Sequence, residues 1–206
     1  MTGLFVTFEG GDGVGKSTQA AALEHWLRER GREVVRTREP GGTEVGERIR
    51  DIVLHHRGHI DPRAEALLYA ADRAHHVATV VRPALDRDAV VIQDRYLDSS
   101  VAYQGAGRVL DAAQVRDLSL WAVNGLLPDL TVLLDLDEAS ARRRLDAVDK
   151  PFDRLEAEQA EFHARVRTAF LDLAAAEPGR FLVVDAALPV DEIAARVREQ
   201  VAARLV

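Results

Sequence analysis

"FEGGDGVGKSTQ", residues 8–19, sets four glycines, two acids and one lysine between an apolar run, "LFVTF" (4–8), and a stretch of helical pattern. Gly10, Gly11, Asp12, Gly13, Val14, Gly15, Lys16 and Ser17 spell G-x-x-x-x-G-K-[ST], with Thr18 next in line. That spacing builds a phosphate cradle when it lies between a strand and a helix. Glycines let backbone N–H groups converge without Cβ clashes, and the helix N-terminus adds partial positive charge. Lys16 is expected to reach the β- and γ-phosphates of a nucleotide, and the Ser17 hydroxyl to hold Mg²⁺. The lysine is conspicuous, because the 27 Lys and Arg residues include only two lysines, Lys16 and Lys150.

Outward from the loop, short β-branched or aliphatic runs occur at 4–9, 33–37, 89–94, 130–137 and 180–186. Helical patterns fill 16–30, 44–56, 63–82, 111–124, 138–146, 155–176 and 189–204. The alternation predicts an α/β fold with a five-stranded parallel sheet flanked by helices, the three-layer P-loop NTPase architecture. Near-continuous apolar runs predict strands covered on both faces. At 206 residues the chain fits a single domain, 1–206, and the irregular "LDAVDKPFD" (145–153) marks a short lid at about 142–154.

The bulk numbers narrow the function. A net charge of −7 argues against nucleic-acid or anionic-membrane binding, so an anionic ligand must meet a local cluster of cations. Without cysteine there is no thiolate metal site or thiol nucleophile, and no apolar run approaches a membrane span. A cytoplasmic protein is expected. The N-K-x-D guanine reader of small GTPases is absent around both lysines, and no second signature of a motor ATPase occurs. A small kinase is favoured over a non-catalytic nucleotide-binding switch.

The acceptor side is written in "TREPGGT" (37–43), "GERIR" (46–50), "LLYAADRA" (67–74) and "DRYLDSSVAYQG" (94–105). With the P-loop, these strings resemble the bacterial thymidylate kinase family over almost the whole chain. The resemblance implies transfer of the γ-phosphoryl of ATP to dTMP, giving dTDP and ADP in deoxythymidine nucleotide biosynthesis, with Mg²⁺ as cofactor and a homodimer as the assembly. From spacing alone, Tyr69 and Arg73 share one helix face, which suits either a planar base or a core tyrosine beside a solvated arginine. The resemblance assigns Tyr69 to stacking on thymine and Arg73 to its carbonyl edge.

By the same resemblance Arg95 grips the dTMP phosphate with Arg50 as a second arginine, and Asp94 acts near Mg²⁺ through water. Asp94 ends a strand at the carboxyl edge of the sheet, where open α/β folds bind ligands. Ser100 and Gln104 are implied to hydrogen-bond the base, and Tyr103 to crowd a 2′-hydroxyl. Arg38 and Glu39 are expected to line the acceptor pocket, and Glu9 to orient metal-bound water. Asp12 is implied to contact the sugar 3′-hydroxyl, a pattern that goes with catalytic cations supplied by the lid. Here the lid reads "LDAVDKPFDR" instead of two spaced arginines before a glycine, leaving Arg142, Arg143, Arg144, Lys150 and Arg154 as candidates. "HHRGH" (55–59) has metal-like spacing, yet Gly58 interrupts the helix and no zincin glutamate is present. "DLD" (135–137) reads as a strand end followed by a helix cap at Asp137.

Overall fold

A computed structural model of the chain describes residues 3–108, 110–147 and 153–205. Lys150 and its neighbour Pro151 lie outside the described residues. Five strands, β1 (Leu4–Glu9), β2 (Val34–Arg38), β3 (Val90–Asp94), β4 (Leu130–Asp135) and β5 (Phe181–Asp185), form one parallel sheet of order β2-β3-β1-β4-β5. β1 is central, so the chain leaves the carboxyl edge between two neighbours reached by separate crossovers. That is the position where open α/β sheets leave a ligand crevice.

Every residue of β1 is buried, and its side chains alternate between two layers. Leu4, Val6 and Phe8 meet Leu23 and Leu27 of α1 (Lys16–Arg28) and Ile193, Val197 and Val201 of α9 (Val190–Ala202). Burying each such leucine contributes about 2 kcal/mol. Phe5 faces the other way, edge-on to Tyr96 with ring centroids 5.0 Å apart. There it packs under the long helical hairpin partner of the sheet, α3 (Pro62–His76), which runs through a π-helical turn (Val77–Val81) into α4 (Arg82–Asp86). Pro83 brings no N–H to a helical ladder, and the widened turn just before it carries the chain past that gap. The expected helix 63–82 therefore extends to residue 86. α2 (Glu44–His55) lies against α3, and α8 (Ala160–Ala176) covers β4 through Phe162, Val166 and Phe170.

Two departures from the sequence reading bear on the site. Residues 97–107, unassigned above, are helical: α5 (Leu97–Ser100) passes into a π-helical stretch, Val101–Gly107, ahead of α6 (Ala112–Ala122). Two serines and two glycines in this segment hide its period, and packing of Leu97, Ala102 and Tyr103 overrides their weak propensity. α8 starts at Ala160 instead of residue 155, because the Asp153 carboxylate accepts from the N–H groups of Leu155 and Glu156 and closes a turn there. α7 (Glu138–Asp146) takes in the first half of the expected lid and is capped by Asp137, whose side chain accepts from Ser140 N at 2.9 Å.

At the amino end of β5, Arg180 donates from both terminal nitrogens to Asp98, at 2.6 and 2.9 Å, and from one of them also to Thr131. This pair ties α5 to the edge of the sheet with both partners buried. Asp98→Ala should cost about 3 kcal/mol, since it strands a buried guanidinium. Chemical denaturation checks this value, and a loss below about 1 kcal/mol would mean that Glu177 alone satisfies Arg180.

Candidate active site

The chain leaves β1 into the phosphate loop with Gly10 at φ 129°, where a Cβ would stand 2.4 Å from the Leu134 carbonyl oxygen, so only glycine fits. Lys16 folds back over the loop and donates to the carbonyl oxygens of Gly10 (3.2 Å) and Gly11 (2.6 Å). Burial and then the neighbouring charge of Arg95 pull its ammonium below the ordinary lysine value. Ser17 Oγ donates to Asp94 Oδ2 at 3.1 Å. Two hard oxygen donors side by side at a phosphate cradle suit Mg²⁺, which takes few protein ligands and keeps waters and substrate phosphates.

Across the loop stands Arg95, which follows β3 in a left-handed backbone conformation, φ 65°. Its N–H donates to Phe8 O at the end of the β1–β3 ladder. The guanidinium donates to Asp12 Oδ1 (2.5 Å), Gly10 O (3.0 Å), Ser99 Oγ (3.2 Å) and Tyr103 Oη (3.2 Å). Burial alone would raise the Asp12 carboxyl; the charges of Arg95 and Lys16 overcome it and hold Asp12 well below the usual range. Burial pushes the Tyr103 phenol up, so it stays a hydroxyl and donates to Asp12 Oδ2 at 3.2 Å.

These groups open on one cavity of about 920 Å³, lined by the loop from Asp12 to Thr18 and, on the acceptor side, by Arg38, Glu39, Arg50, Tyr69, Arg73, Asp94, Arg95, Ser100, Tyr103 and Gln104. Tyr69 and Arg73 come from one face of α3, as their spacing predicts, and both are buried. Arg73 commits four of its five N–H donors to protein, at Glu39 (2.8 Å), Ser119 (3.2 Å), the Tyr96 carbonyl (3.2 Å) and Ser100 (3.0 Å). Glu39 also meets His76 Nδ1 at 2.9 Å, so it fixes Arg73 as well as bordering the cavity. Arg50 donates to Pro40 O, and Arg38 pairs with Glu47 at 2.9 Å.

Several expected residues stand elsewhere. Gly10 and Gly11 supply carbonyls to Lys16 and border a smaller cavity of about 310 Å³ behind the loop, together with Arg142. Of the described lid candidates, Arg144 lines the main cavity, donating to Ala186 O at 2.9 Å. Arg142 pairs with Asp146, and Arg143 donates to Ser140. Arg154 turns to Val53 O and the Glu65 carboxylate, away from the main cavity. Glu9 is fully buried outside the cavity wall instead of facing a metal-bound water: its carboxylate accepts from Tyr96 N (2.7 Å), Ser99 N (3.3 Å) and Ser99 Oγ (2.6 Å). It thereby pins the backbone that follows Arg95's left-handed turn. The sequence reading missed Ser99, Asp98 and Glu65; only Glu65 carried a signal, lying one helical turn before Tyr69.

A phosphate loop and an arginine-walled acceptor pocket facing each other across a shared cavity define a P-loop kinase of small phosphorylated acceptors. Residues 8–197 match the family model for thymidylate kinase. The thymidylate kinase of Clavibacter sepedonicus is 76% identical over 198 residues, covering 96% of this chain and 94% of the relative. That of Bifidobacterium longum (strain DJO10A) is 54% identical over 205 residues, covering 98% of both. The crystal structure of thymidylate kinase from Ehrlichia chaffeensis superposes with a TM-score of 0.79 at 31% identity, covering 98% of this chain and 99% of that one. The chain belongs to the thymidylate kinase family.

The buried Glu9 makes stability depend on pH. Burial, followed by the charge of Asp98, pushes its carboxyl up to about 7 from an ordinary 4.5. The folded state then binds the proton more tightly than the unfolded one. Its stabilising effect is complete below the ordinary value and is lost as pH rises through about 7. Melting temperatures of the wild type and Glu9→Gln, followed from about pH 5 to about pH 8, should show the wild type losing stability relative to the variant. Parallel curves would mean that Glu9 is ionised throughout.

Proposed function

We infer that this chain transfers the γ-phosphoryl group of ATP to dTMP, giving dTDP and ADP, in deoxythymidine nucleotide biosynthesis. The observation that carries the reading is the contact of Asp12, from the ATP loop, with Arg95, from the acceptor wall, at 2.5 Å inside one cavity. Two phosphorylated substrates bound on either side of that contact bring their phosphates together.

Phosphoryl transfer needs in-line positioning and charge neutralisation more than covalent help. The loop N–H groups and Lys16 hold the donor phosphates; the lysine ammonium exchanges the Gly10 and Gly11 carbonyls for phosphate oxygens when nucleotide enters. Arg95 holds the acceptor phosphate, with Arg50 beside it. Asp12, kept ionised, accepts from the sugar 3′-hydroxyl and keeps Arg95 aligned. Tyr69 stacks on the base, Arg73 donates to its carbonyl edge, and Tyr103 fills the space of a 2′-hydroxyl. Ser17 and Asp94 would hold Mg²⁺, which when bound with the nucleotide neutralises phosphate charge. Arg144, beside the apolar rim of Leu188 and Val190, suits the adenine end of ATP. Excluding water from the cavity keeps it from competing as an acceptor. The cytoplasm, where these substrates occur, is the expected compartment, and no helix of the described residues is long and apolar enough to cross a membrane.

A homodimer is the assembly this reading expects. Leu67 on α3 and Trp121 on the neighbouring α6 are 56% and 79% exposed, large apolar side chains that a second copy would cover. Light scattering should give a dimer for the wild type and a monomer for Trp121→Glu. A monomeric wild type would remove the assembly from the account.

A coupled assay with ATP and dTMP should give dTDP, with dTMP used ahead of dUMP, dCMP and thymidine. Lys16→Ala should lower turnover by at least about 10²-fold while melting like the wild type, because the lysine faces phosphates that carry most charge in the transition state. ATP binding without dTDP would favour a nucleotide-binding switch instead.

A further inference from the structure

Glu65 is a fully buried carboxylate on α3, one turn before Tyr69. It takes three side-chain donors: Gln104 Nε2 at 3.0 Å and Arg108 Nε at 3.5 Å on Oε1, and Arg154 Nη2 on Oε2. Two of these donors are guanidinium groups, so the carboxylate is balanced in charge. The third is the side-chain amide of a residue that lines the main cavity beside Tyr69, Arg73 and Ser100.

An ionised carboxylate only accepts hydrogen bonds, whereas a carboxamide has a donor end and an acceptor end that differ by a 180° flip. Glu65 removes the flip. With Gln104 Nε2 committed to Glu65, the amide must present Oε1 on its other side, and Gln104 lines the main cavity. The base-facing wall then offers an acceptor from Gln104 next to a guanidinium, Arg73, that can only donate. A pyrimidine imide, with its N3–H between two carbonyls, complements that order. Cytosine reverses it, with an unprotonated N3 and an amino group, and would set acceptor against acceptor and donor against donor.

We propose that Glu65 is a positioning residue for acceptor specificity: by fixing the orientation of the Gln104 amide, it makes the pocket select an imide base over cytosine. The inference rests on the dTMP reading above and adds the residue that sets its base preference. Glu65 touches neither phosphate nor base, so its effect must pass through Gln104.

The test compares kcat/KM for dTMP and dCMP in the wild type, Glu65→Gln, Gln104→Ala and the double variant. A glutamine at 65 can donate or accept, so the Gln104 amide is free to turn. Glu65→Gln should raise KM for dTMP and shrink the dTMP-over-dCMP preference by roughly tenfold or more, with KM for ATP unchanged. In the Gln104→Ala background the same substitution should leave the preference where Gln104→Ala alone put it. A folded Glu65→Gln with wild-type preference, or an equal shrinkage in both backgrounds, overturns the proposal. Should Glu65→Gln not fold, side-chain amide NMR of the wild type decides. The Gln104 NH₂ protons, assigned by their absence in Gln104→Ala, should be shifted downfield and protected from exchange without ligand and stay so when dTMP binds; unprotected protons, or protons that move as the amide turns to the base, overturn it. A wild type that makes no dTDP overturns the dTMP reading itself, a result distinct from dTDP formation with a base preference indifferent to Glu65.

Discussion

The ion pair between Asp12 and Arg95 is the contact on which the site depends. One partner stands in the loop after β1 and the other directly after β3, and the register that sets Phe8 beside Asp94 brings these strand ends level. The arginine reaches the loop because its backbone takes a left-handed turn, a conformation that costs a non-glycine residue of order 1 kcal/mol. Glu9 offsets that cost from behind by accepting from Tyr96 N and Ser99 N. Asp98 and Arg180 then anchor the helix that follows to β4 and β5. The sheet, a buried carboxylate and a buried ion pair thus converge on the placement of one guanidinium.

The same logic accounts for a chain that carries net negative charge yet serves anionic substrates. Three of its buried acids, Glu39, Glu65 and Asp98, each meet an arginine that also donates to a second protein group. Arginine suits this work because its planar fork donates in several fixed directions and never loses its proton. Lys16 has the opposite task. It must leave two loop carbonyls and follow a phosphate, which a compact ammonium on a flexible stem does well.

The β1–loop–α1 unit was legible in the sequence because its constraints are local: glycines where the backbone must turn, a lysine and a serine at fixed offsets, an apolar run before them. The five strands were legible through their continuous apolar runs, and the Tyr69–Arg73 face through helical spacing. What escaped depends on contacts distant in sequence. Helix 97–107 is held by packing against its own propensity. Glu9 was expected to orient metal-bound water, but burial turned it to Ser99, 90 residues away. Arg154 looked like a lid cation until Glu65, 89 residues earlier, claimed it. Sequence spacing carries information about a turn of helix or a loop, and these pairings are fixed only by the assembled sheet.

The central claim is that Asp12 and Arg95 act as one unit joining donor and acceptor sides. A double-mutant cycle on kcat/KM for dTMP, with Asp12→Asn, Arg95→Lys and the pair, tests it most directly. Residues that share one function are strongly non-additive. Adding Asp12→Asn to Arg95→Lys should cost far less than Asp12→Asn alone. Losses that multiply as independent factors would contradict it.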